Sequence, residues 1–204
     1  MRASVSLTAT LVLIAGPLAA QQSAPAAATP PAARATRPIP AAAQQIAAAV
    51  LPLPDSLRAS ARVFGYAPDG SFVELRPGTG SMTCLANNPR GGRFQVACYH
   101  NSMEPFMARG RELRAQGVTA VDSVRNADVL AGRIRMPPVA SLYSLNGGSY
   151  DPATNTITGA RPLYVVYLPF ATEESTGIST TAVPGRPWLM HPGLPGAHVM
   201  IMPN

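Results

Sequence analysis

The chain contains no lysine: all sixteen of its basic residues are arginine. In a sequence with 22 prolines and 17 glycines, that bias points to a GC-rich coding sequence rather than to selection for phosphate contacts. The formal charge of +6 therefore does not define a nucleic-acid binder. Arg2, Arg34 and Arg37 lie outside the part expected to fold. Thirteen arginines then face ten carboxylates, about +3, and they are dispersed rather than gathered on one stripe. No nucleic-acid partner is expected.

Residues that carry chemistry are equally scarce, with two cysteines, three histidines and one tryptophan. C-x-x-C is missing, which removes the usual redox pair and the c-type haem attachment. G-x-S-x-G, H-E-x-x-H and G-x-x-x-x-G-K-[ST] are missing too, so no nucleophile elbow, zinc helix or phosphate loop is present. Gly78-Thr79-Gly80 and Gly91-Gly92 read as turn glycines, not as a dinucleotide fingerprint. No cofactor and no metal are implied. Beyond the first twenty residues no apolar run approaches the roughly 20 residues that span a bilayer.

What is present begins with those twenty residues. Met1-Arg2 gives a positive start, Leu7 to Ala15 an apolar run, and Gly16-Pro17-Leu18-Ala19-Ala20 a small-residue end. This order is that of a secretory signal peptide cut after Ala20, and no cysteine follows for lipid attachment. It predicts a periplasmic or secreted protein. Of 204 residues, 184 then remain, enough for one domain with its own core. Residues 21–54 are dominated by Ala and Pro and are expected to form a disordered tether. Ala41 to Val50 has some helical potential. Residues 55–204 are expected to fold as a single domain.

Strands are expected at 62–67, 71–76, 81–86 and 93–100, joined by Pro/Gly turns into an antiparallel meander. Two amphipathic helices follow. Asn101 and Glu104 form a capping box for the first, and Met103, Phe106, Met107, Gly110 and Leu113 share one face. Thr119 and Asp122 start the second, which Gly132 stops. Further strands are expected at 141–145, 162–170 and 197–202. The fold class is α+β, a mainly antiparallel sheet of six to seven strands with two central helices.

Cys84 and Cys98 fall on adjacent strands of one expected hairpin, in register and beside apolar neighbours. In an oxidising compartment they read as a disulfide. His100 and Glu104, four residues apart, form the tightest polar pair and could serve as base and orienter, with His198 as a third member. Their simpler roles are a strand-end histidine, a helix cap and a histidine bonded to a backbone carbonyl. His191 is expected to face solvent. Glu173-Glu174 suits a helix start better than a glycosidase pair. Arg109, Arg111 and Arg114 suit the wet face of a helix. Tyr143, Tyr150, Tyr164, Tyr167 and Trp188 could line a cleft for a sugar or an aromatic ligand, although core and loop-anchor roles are the commoner fate of such residues.

The runs GTGSMTC (78–84), CYHNSMEPFMARGREL (98–113), PWLMHPG (187–193) and AHVMI (197–201) are similar to a group of exported bacterial proteins with no assigned activity. The likeness covers residues 60–202. It implies an exported domain and carries over no catalytic residues. The leading expectation is a monomeric, non-catalytic binding domain whose partner is an envelope protein or a cell-wall component. The alternatives are a metal-dependent or His/Glu hydrolase using His100, Glu104 and His198, and a structural envelope component.

Overall fold

Alternating apolar residues set the strands, and Pro/Gly punctuation sets where they end. The computed structural model describes residues 38–203. Residues 1–37, with the expectations of a signal peptide and of a tether placed on them, lie outside that range. The main sheet contains β1 (Arg62–Tyr66), β2 (Phe72–Arg76), β3 (Met82–Leu85), β4 (Gln95–His100), β5 (Ala140–Asn146), β8 (Arg161–Tyr167), β9 (Trp188–Met190) and β10 (His198–Ile201). Its order is β2-β1-β3-β4-β5-β8-β10-β9. A separate two-stranded hairpin joins β6 (Ser149–Asp151) to β7 (Thr156–Thr158).

The class is α+β, but the expected composition of six to seven antiparallel strands and two helices is overturned. The described residues form a mixed eight-stranded sheet, the extra hairpin and five α-helices. The N-terminal meander is also incorrect, because β3 pairs with β1 in parallel while β2 lies at the sheet edge. The cause is the Pro77–Gly80 segment. Instead of making a tight turn, it doubles back across the start of β1, with Thr79 N and Gly80 N donating to Ser60 O at 3.0 and 2.9 Å. A Cβ on Gly78 would stand 2.7 Å from the Arg62 Cα, so this crossing needs glycine. The Pro68-Asp69-Gly70 turn between β1 and β2 does form as expected. Gly70 has φ +87°, and Asp69 Oδ1 accepts from Ser71 N at 2.8 Å.

Strand alternation gives the sheet two faces. One carries Val63, Cys84, Val96 and Cys98 and is partly covered by α1 (Ala42–Ala49). The other carries Tyr99, Leu142, Val165 and Tyr167 and lies under α3 (Glu104–Ala115) and α4 (Val121–Leu130). Met103, Phe106, Gly110 and Leu113 are buried on that side, as their helical spacing predicted. The expected caps are not used. A 3-10 turn, Asn101–Met103, precedes α3, and His100 caps it by accepting from Ser102 N. Ala120, with no side-chain cap, precedes α4. Helix α5 (Glu173–Thr176) does begin with two glutamates, under a Thr172–Ser175 capping box.

Packing also begins before Asp55, inside the stretch expected to be a tether. Ala49, Val50 and Leu53 belong to the core around Val63 and Cys98. Gln45, 5 % exposed, completes β1 in the manner of a neighbouring strand. Its Oε1 accepts from Tyr66 N and its Nε2 donates to Tyr66 O, both at 2.8 Å. Helix α2 (Asp55–Arg58) then leads into β1. No helix among the described residues is long and apolar enough to cross a membrane.

Candidate functional site

The sequence-derived trio does not assemble. His100 pairs with Met82 and shares the strand face of Cys98, whereas Tyr99 points to the opposite face. Glu104 joins that opposite face, accepting from the Tyr99 hydroxyl and pairing with Arg111 Nη2 at 2.5 Å. Arg111 also donates to the Tyr99 hydroxyl at 2.8 Å and lies over the rings of Phe64 and Phe72. Burial and the bond to Glu104 push the Tyr99 phenol well above its ordinary range, against the pull of Arg111. His100 meanwhile turns to the Ser102 hydroxyl at 2.7 Å. His100 thus stays at the strand end, where it acts as a cap, whereas Glu104 joins a packing network in place of the helix cap expected of it. Among the described residues no group of three or more His, Cys, Asp or Glu is placed to hold a metal ion.

The third member, His198, does sit in a site, with partners the sequence reading did not select. His198 Nδ1 lies 2.8 Å from Gly196 O. A carbonyl can only accept, so Nδ1 carries the proton and Nε2 keeps its lone pair. Burial lowers the His198 pKa below 6.5, with the Gly196 bond acting against it. The ring packs against Tyr167 at 5.0 Å between centroids and against His191 at 5.5 Å. His191 is exposed, as expected, but it holds a left-handed backbone at φ +53°, uncommon for a residue with a Cβ.

Helix α4 closes this site from the other side. Arg125 stacks on Phe106 at 4.0 Å and its Nη2 pairs with Asp122. Burial alone would raise the Asp122 carboxyl, but the bond and charge of Arg125 outweigh it and hold the pKa low. Asn126 Oδ1 accepts from Gly196 N at 3.0 Å, which ties α4 to the loop before β10. A cavity of about 40 Å³ remains between these groups, lined among others by Asp122, Arg125, Asn126, Tyr167, His191 and His198. One signal for it was present in the sequence. Val121, Arg125 and Asp128 recur at helical spacing on the buried side of α4, so two charged residues occupy positions that normally hold apolar ones.

A second and larger concavity lies where α1 meets the loops after β3 and β5. Its volume is about 680 Å³, and Gln44, Asn87, Arg93, Phe94, Ser149 and Tyr150 are among its lining residues. Phe94 and Tyr150 stack nearly parallel, 6.3 Å apart with 14° between planes. Gly148 shapes one wall: a Cβ there would come within 2.6 Å of Ala160 N, so glycine lets the β6–β7 hairpin close against the β5 turn. Of the aromatics expected to line a cleft, Tyr150 does so. Tyr143 and Tyr164 pack edge to face on the sheet, Tyr167 lines the smaller cavity, and Trp188 is buried. Comparison with family models, with curated proteins and with solved structures finds no match for this chain.

Proposed function

We propose that this is an exported binding domain that holds glycan fragments of the cell wall in the 680 Å³ cleft. The cleft is the observation that carries the reading. Its volume falls within the range of roughly 300–1,000 Å³ typical of small-ligand sites. Its lining combines amides, hydroxyls, a stacked aromatic pair and one arginine, with no carboxylate side chain. Amides and hydroxyls match the donors and acceptors of a sugar, and ring faces match its C–H surfaces. The leader-like N-terminus and the Cys84–Cys98 bond favour an oxidising, extracytoplasmic location.

Calorimetric titration with oligosaccharides of N-acetylated amino sugars, from disaccharide upward, tests this. Saturable binding that Tyr150→Ala weakens at least about 10-fold, equivalent to ~1.4 kcal/mol, supports the reading. No heat with any length, or equal affinity in the variant, removes it and leaves a structural envelope role as the next candidate. The hydrolase reading has no specific observation in its favour, since His100 and Glu104 occupy opposite faces of the sheet.

A further inference from the structure

Arg125 is 8 % exposed, and its Nε is the one buried side-chain nitrogen or oxygen among the described residues that has no hydrogen-bond partner. Leaving such a donor unsatisfied destabilises the folded chain, the more so on a charged group. The other guanidinium nitrogens are committed. Nη2 pairs with Asp122, and Nη1 faces Phe106 O at 3.5 Å. The Asp122 side chain is 58 % exposed and already engaged, so it does not supply the missing acceptor. Arg125, with this one donor unsatisfied, also lines the 40 Å³ cavity.

We propose that this cavity binds a carboxylate group, which accepts from Arg125 Nε–H and from neighbouring donors. Asn126 contributes because Gly196 N occupies its Oδ1, leaving its amide N–H groups as donors. Tyr167 and the two histidines complete the lining. Size limits the occupant: one water needs roughly 10–15 Å³ of such space, so about 40 Å³ admits only a few non-hydrogen atoms, as in a carboxylate. Charge favours an anion: Arg125 in the lining and Arg114 nearby on α3 stand against a single carboxylate, Asp122. An anion placed here favours the imidazolium form of His198, so binding should take up a proton near neutral pH.

The test uses the full chain, with acetate as the probe, followed by NMR at constant ionic strength against chloride. Saturable shifts of the His198 imidazole and the Arg125 Nε–H, with a rise in the His198 pKa, are expected. Arg125→Lys, which keeps the charge but removes the Nε donor, should weaken acetate at least about 10-fold. His191→Gln, at an exposed position, should weaken it about threefold and serves as the deciding variant if Arg125→Lys fails to fold. A tripeptide with a free C-terminus, set against its C-terminal amide, separates two sources of the group. Binding of acetate alone identifies a small acid, and binding of the free peptide but not the amide identifies a chain terminus. Linear shifts equal to those in chloride, or unchanged affinity in the folded variants, overturn the proposal. Neither result bears on the glycan cleft, whose residues are different.

Discussion

His198 and Gly78 show how single residues set stability here. Burial holds His198 neutral in the folded chain, while the unfolded chain releases it to titrate near 6.5. Between those values the unfolded state binds the extra proton, so stability rises with pH. The His198 contribution is present in full above about pH 6.5 and declines as pH falls toward the lowered folded value, levelling below it. Urea midpoints taken between pH 7.5 and 5 should show this slope in the parent chain and lose it in His198→Gln. A parallel pair of curves would rule it out. Gly78 acts through space rather than charge. In Gly78→Ala the new methyl meets the backbone of Arg62, which cannot swing aside as a flexible side chain could. A loss of about 1–3 kcal/mol is expected in chemical denaturation. The glycine was visible in the sequence but its reason was not, because the crossing exists only when β3 returns to pair with β1 in parallel, which no local turn pattern shows.

Among elements, those whose cause is local were the legible ones. Helices α3 and α4 follow from apolar spacing and stop near Gly117 and Gly132, both at positive φ. Strand order depends on pairings that no local pattern encodes, and three-residue strands such as Trp188–Met190 are too short to show a period. The histidine site was half legible for the same reason. His198 stood out in an apolar strand, but its union with His191 and Arg125 requires β10 to pair with both β8 and β9 while α4 packs alongside. Helix α1 falls within the helical potential of residues 41–50, but its place in the core was not legible. Its Ala-rich composition continues that of the residues before it, and its packing through Gln45, Val50 and Leu53 depends on partners distant in sequence. A chain beginning at Asp55 should accordingly lose at least about 3 kcal/mol of stability, from the burial of Leu53 and Val50 alone. One beginning at Pro38 should keep it. Equal unfolding midpoints for the two would show that this segment contributes nothing.

For the whole molecule, the deciding feature is the covalent bond between neighbouring strands. Cys84 and Cys98 are directly opposed in the β3–β4 pairing, both fully buried, and they are joined in a disulfide with a sequence separation of 14. A loop of this length restrains the unfolded chain by about 3 kcal/mol. Domains of this size are stable by only about 5–15 kcal/mol, so the bond is a large share of the total. It also links architecture to compartment. In a reducing environment the same chain would keep every hydrogen bond of its sheet and lose this restraint. The Cys84→Ala/Cys98→Ala variant should therefore unfold at lower urea with an unchanged native spectrum, by a shift equivalent to about 3 kcal/mol. Reductant should have little effect on the folded parent until denaturant opens the sheet, since neither sulfur is exposed. Beyond that point, parent and variant should converge on one curve. A parent that is reduced readily while fully folded, or a variant of equal stability, would show that the sheet and its helices stand without the bond.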